Sequence, residues 1–212
     1  MAKDFARLRS FAIKEYKFQQ DKVSPLGDQG QCLNLTLMWI REQIDARDAF
    51  GWNENAGQRI FMPDPGALGN EHARNHDAYR YAMGLPQQNR PNCEHIALHL
   101  GLTRRRQLEP DNVIEAFNDA EYNIALTRLA ESLPLGAAVL IPIDLEGDDT
   151  TSHAVAMFKS GPRALRFFGS SCGVYRLDNS EEFINDWVAV YCDMGLKISP
   201  SDTGESPFAV YN

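Results

Sequence analysis

Long hydrophobic runs are missing from this chain. The longest, Gly136–Ile143, is strand-sized, whereas a bilayer-spanning helix needs roughly 20 apolar residues. The first stretch, MAKDFARLRSFAIKEYKF, is charged throughout and has no apolar segment of the kind a signal peptide carries. Basic charge is also scarce. With 21 Lys and Arg against 29 Asp and Glu, the net charge is -8, which argues against a nucleic-acid footprint or simple docking on an anionic membrane. Cysteine is sparse too: Cys32, Cys93, Cys172 and Cys192 form no CxxC pair. That density fits reduced thiols in a cytosol-like compartment better than a disulfide framework. One of the four is then free to act as a nucleophile.

What is present reads as one globular domain over 1–212, helices first and strands after, an α+β arrangement. Residues 1–22 read as an N-terminal helix or arm, with Phe5, Leu8, Phe11 and Ile13 apolar. A strong helix is expected over about 30–46, where Cys32, Leu35, Trp39, Ile40 and Ile44 recur at helical spacing. Residues 47–70, rich in Gly, Asn and Pro, read as a long connection. Helical stretches follow at 70–83 and 91–100, with one or two more over 110–131. Ala137–Asp144, His153–Lys159 and Ala164–Phe168 read as antiparallel strands. A last helix spans Glu181–Val190 behind an Asn179-Ser180 cap, and 199–212 reads as a polar tail.

Cys32 falls just inside the start of the first strong helix. There the helix dipole and unused N–H groups favour a thiolate and can hold a developing oxyanion. The plain alternative is a small buried hydrophobe. His153 opens a strand, where an imidazole can face a helix-borne thiol across a cleft between layers, the nucleophile–base logic of thiol hydrolases. Its plain alternative is a surface turn histidine. Cys172 is a second candidate nucleophile, read more simply as a buried thiol. Cys192 ends a helix, where the dipole opposes a thiolate.

The combination resembles a known family. Gly30-Gln-Cys32-Leu-Asn-Leu-Thr-Leu-Met-Trp39 is similar to the Gly-x-Cys-x-x-Leu-x-x-x-Trp signature of the YopT-type cysteine proteases. Ser152-His-Ala-Val-Ala-Met-Phe-Lys159, a short turn, Leu165-Arg-Phe-Phe168 and Gly173-Val-Tyr-Arg176 resemble that family's histidine hairpin. Residues 50–135 carry no matching motif. The resemblance implies a papain-like fold and thiol peptidase activity with Cys32 as nucleophile and His153 as base, and no cofactor or metal. An oxyanion-hole side chain just upstream of the nucleophile is implied as well, for which Gln29 and Gln31 are the candidates, Gln29 favoured, and Asn34 a weaker one. It also implies a bacterial effector or toxin, secreted into a target cell by a route without a signal peptide. There it would act in the cytosol on a host protein, with a chaperone or immunity protein as a further partner. One departure stands out: Gly169 occupies the position of the family's histidine-orienting Asp. Ser170, Ser171, a backbone carbonyl or Asp178 could orient the ring instead. A Cys–His dyad, or an inactive site that only binds, are the other readings. The same machinery would also serve a glutamine deamidase or transglutaminase.

Two His-x-x-x-His pairs, His72/His76 and His95/His99, have a spacing metals use. Neither has the Glu after the first His that a metalloprotease needs, since Ala73 and Ile96 stand there. Arg104-Arg-Arg106 reads as a solvated basic loop.

Overall fold

The computed structural model describes residues 8, 10–16, 32–50, 93–118, 122–147, 151–200 and 207–212. They form strand β1 (Ala12–Tyr16), helices α1 (Cys32–Phe50), α2 (Cys93–His99), α3 (Asp111–Asn118) and α4 (Tyr122–Ser132), then strands β2 (Ala138–Glu146), β3 (Thr151–Gly161), β4 (Ala164–Gly169) and β5 (Gly173–Leu177). Helix α5 (Ser180–Cys192) and strands β6 (Lys197–Pro200) and β7 (Ala209–Tyr211) complete the chain. The architecture is α+β.

The sheet runs in the order β1-β5-β4-β3-β2-β6, and β7 also pairs with β2. Every pairing is antiparallel. Because side chains alternate along a strand, each central strand has two apolar faces. Ala154, Ala156 and Phe158 of β3 pack with Leu35, Trp39 and Ile40 of α1. Val155 and Met157 pack instead with Phe183, Trp187 and Tyr191 of α5 and Leu126 and Leu129 of α4. The strands are therefore near-continuous hydrophobic runs because both faces are covered. The sheet thus carries α1 on one face and α4 and α5 on the other.

Two expectations are corrected. Of the helix or arm expected over 1–22, the described part is not helix: Ala12–Tyr16 is an edge strand on β5. The backbone N–H groups of Asp178 and Asn179 also donate to Phe11 O, at 3.0 and 3.2 Å. Apolar residues every two to three positions suit either period, and pairing decided between them. The tail over 199–212 was read as polar loop, yet β6 and β7 return to β2 and Phe208, Val210 and Tyr211 are buried.

Trp39 of the front motif is fully buried and stacks on Phe168 of β4, ring centroids 5.4 Å apart and nearly parallel. On the other face Phe167 meets Phe183 at 5.1 Å and Trp187 at 5.3 Å. Adjacent residues of one strand thus anchor opposite helices. Asn179 caps α5 as expected, its side chain accepting from the Glu182 N–H at 3.2 Å.

Arg104 is not solvated. Its guanidinium, only 9% exposed, donates to both carboxylate oxygens of Glu109 at 2.7 and 3.0 Å and to Glu94 at 3.3 Å. Arg105 N–H donates to Val210 O at 2.7 Å, so this segment pins β7. Arg106 remains exposed and pairs with Glu94 at 3.0 Å. That hydrogen bond and the charge of Arg104 hold the Glu94 carboxyl below its usual range.

Candidate active site

Cys32 is the first residue of the 19-residue helix α1, whose first turn carries no acidic side chain. No carboxylate of that turn therefore offsets the N-terminal potential of the helix. Its sulfur lies 3.9 Å from the carbonyl oxygen of Ser152, the residue before His153. One helical turn later, Thr36 Oγ1 donates to Ala154 O at 3.2 Å. Four residues of helix advance about 6 Å and two residues of strand about 6.8 Å. Cys32 and Thr36 can thus meet alternate carbonyls of β3, which sets α1 lengthwise along the strand and fixes the thiol at the strand's beginning.

His153 is half-buried, with its Nε2 atom inside the protein. It stands opposite Ile143 in an unbroken β2–β3 ladder. By alternation Ser152 shares the α1 face with Ala154, while His153 shares the α5 face with Val155. Cys32 and His153 are brought to the same end of the sheet, the thiol against the carbonyl of the residue that precedes the histidine. Tyr191, in the last turn of α5, marks where the sides meet. Burial pushes its hydroxyl well above the usual phenol range, and the nearby thiols of Cys172 and then Cys32 push it further. A group on the α5 side thus feels the Cys32 sulfur.

Asp144 adds a carboxylate to this end of the sheet. It is buried at 8% exposure, stands opposite Ser152, and accepts from Ser152 Oγ at 2.8 Å. It also reaches α4, where burial first and the charge of Asp144 second push the Tyr122 hydroxyl well up. Neither Asp144 nor Ser152 stood out in the sequence. The available signal was a lone carboxylate inside the apolar run of β2.

Gly169 closes β4 opposite Val155. An ideal Cβ there would sit 2.7 Å from Cys172 Sγ and 3.7 Å from a Val155 methyl. The side of the strand on which an orienting Asp would project is therefore filled by sulfur. Cys172 folds back through the Gly169–Gly173 turn, its N–H donating to Gly169 O at 3.0 Å, and Gly173 supplies the positive φ of 106°. Cys172 is buried, as its simpler reading held, whereas Cys192 is exposed; neither they nor Cys32 form a disulfide.

The other candidates separate by position. Ser170 is fully buried and Ser171 half-buried in the turn beside Gly169. Asp178 is exposed beyond Leu177, whose partner Leu165 pairs with Lys159. That is six residues along β3 from His153, about 20 Å. Asp178 is at the wrong end of the sheet to orient the ring. Asn34 is buried at 3%, and its Oδ1 has no hydrogen-bond partner among the described residues. Gln29, Gln31, His72 and His76 lie outside the described residues, as do the side chains of His95 and His99. Among the described residues no three His, Cys, Asp or Glu side chains converge as a metal would need, and no helix is long and apolar enough to cross a membrane.

No protein-family model matches the chain, and no curated protein matches it. Among solved structures, the crystal structure of the Pseudomonas avirulence protein AvrPphB is similar over 96% of both chains, with a TM-score of 0.54 and 13% identity. A likeness at this identity speaks to the fold, and it supports the papain-like α+β architecture read from the elements.

Proposed function

We propose that the chain is a papain-like thiol hydrolase that cleaves a peptide bond through a thioester on Cys32. The observation that carries this reading is the placement of Cys32 at the head of α1, 3.9 Å from the carbonyl of the residue preceding His153. In the first step the Cys32 thiolate attacks the substrate carbonyl carbon. The free N–H groups of the first turn of α1, with Gln29 or Gln31, hold the oxyanion. His153 gives its proton to the leaving amine as the tetrahedral intermediate collapses to the thioester. Water, deprotonated by His153, then releases the acid and restores the thiol. Attack on a glutamine side chain instead would release ammonia and leave a γ-glutamyl thioester on Cys32, which water would resolve to the deamidated product and an amine to the transglutaminated one.

The shared fold with an avirulence protein supports an effector or toxin role. We place its action in the cytosol of a target cell, after export without a signal peptide, on a host protein. A second reading has its own observation: Gly169 holds no carboxylate, so the site could bind a partner without turnover. Alkylation of Cys32 by iodoacetamide across pH separates the readings. A thiol pKa well below about 8.5, raised in His153→Ala, marks a live ion pair. An unreactive Cys32 in a folded chain overturns the hydrolase in favour of the binding module.

A further inference from the structure

At the opposite end of the sheet the β3–β4 turn and the end of β5 enclose an open cavity of about 450 Å³. Its lining includes Pro162, Arg163, Ala164, Arg176, Leu177 and Asp178. Gly161, which opens the turn, is eight residues along β3 from His153, about 27 Å away. The cavity is thus separate from the thiol site.

Its charge is unusual for an acidic chain. Arg176 stands directly opposite Arg166 in the β4–β5 ladder, and like charges facing across a ladder destabilise the pair. Arg166 is buried and lies outside the cavity lining; Arg163 adds a second lining guanidinium from the turn. Elsewhere Arg41, Arg47, Arg104 and Arg106 each meet a carboxylate within 4.0 Å. Among the described residues Arg163 and Arg176 meet none, although Asp178 lines the same cavity. Guanidinium forks match planar carboxylates and tetrahedral phosphates in geometry as well as charge. The volume falls within the range of small-ligand sites and exceeds a single ion, and Pro162, Ala164 and Leu177 offer apolar surface for the remainder of a larger molecule.

We propose that this cavity is an oxyanion-binding site in which Arg163 and Arg176 grip a phosphoryl or carboxylate group of a ligand. The full chain, labelled at arginine, is titrated with inorganic phosphate and separately with acetate while the side-chain Nε–H signals are followed by NMR. The Arg163 and Arg176 signals should shift together and saturate in the millimolar range with one anion, weakening as salt is raised. Phosphate as the tighter probe marks a phosphoryl ligand, acetate a carboxylate. Arg176→Gln and Arg163→Gln should each weaken that binding about tenfold, and Asp178→Asn should tighten it by removing a like charge. Should one glutamine variant misfold, the other and Asp178→Asn still decide. The proposal is overturned if neither anion gives saturable shifts, or if affinity is indifferent to a folded arginine variant.

Discussion

Gly169 and Cys172 are sterically locked together: a Cβ on the glycine would stand 2.7 Å from the cysteine sulfur. The contact is lateral, across a turn of three residues, and the glycine's φ does not fall in the left-handed region. Space, not backbone conformation, is what keeps a side chain out.

Gly169→Ala should therefore lose about 1–3 kcal/mol, the usual cost of overpacking a tight core. Cys172→Ala in the same chain should recover most of it. Denaturant unfolding of the two single variants and the double variant gives the coupling energy. Additive losses would show that the thiol moves aside freely.

The same contact changes how the missing carboxylate must be tested. Gly169→Asp alone should fail because its side chain collides with Cys172 Sγ. Gly169→Asp combined with Cys172→Ala opens the space. If the site is a hydrolase limited by its unoriented histidine, the double variant should exceed Cys172→Ala in kcat/KM. Equal rates would mean that His153 is already oriented by another group, or that the site does not turn over.

Cys32→Ala should abolish alkylation at the active thiol and any hydrolysis, with little change in Tm. Cys172→Ala and Cys192→Ala should keep both activities. Loss of activity in Cys172→Ala alone, in a folded protein, would move the nucleophile to the β4–β5 turn.

Arg104 and Glu109 form a buried, doubly hydrogen-bonded pair, with side chains 9% and 6% exposed. Removing one partner strands the other, so Arg104→Ala should cost about 3–5 kcal/mol. Arg104→Met with Glu109→Leu should cost much less. Equal destabilisation by the single and double changes would show that packing around β7 matters rather than charge.

Alkaline pH should destabilise the fold through Tyr122 and Tyr191. Both hydroxyls are raised well above the phenol range, chiefly by burial. A folded pKa above the unfolded value means the neutral form is favoured in the fold. The contribution is whole below about pH 10 and is lost as pH climbs from there toward the folded values. Absorbance at 295 nm should show these two of the seven tyrosines ionising only with unfolding. Tyr191→Phe should remove its share. Free titration of Tyr191 near pH 10 in the folded chain would contradict its burial.

The sequence determined the local elements of this protein, because each rested on interactions within a few residues. Helical spacing from Cys32 to Ile44, the Asn179 cap and the apolar runs of β2, β3 and β4 all appear near their expected bounds. The identity of the chemical groups at the head of α1 and of β3 was legible for the same reason. Tertiary structure decided what depends on pairing between distant segments. Ala12–Tyr16 and Ala209–Tyr211 are strands because β5 and β2 offer them open edges, not because of their own periods. Asp144 meets Ser152 through ladder register, and Cys172 fills the space beside Gly169 through a turn. Tyr191 feels Cys32 because α5 ends where α1 begins, at the same margin of one sheet. None of these leaves a local pattern, since the partners are set by how the layers stack.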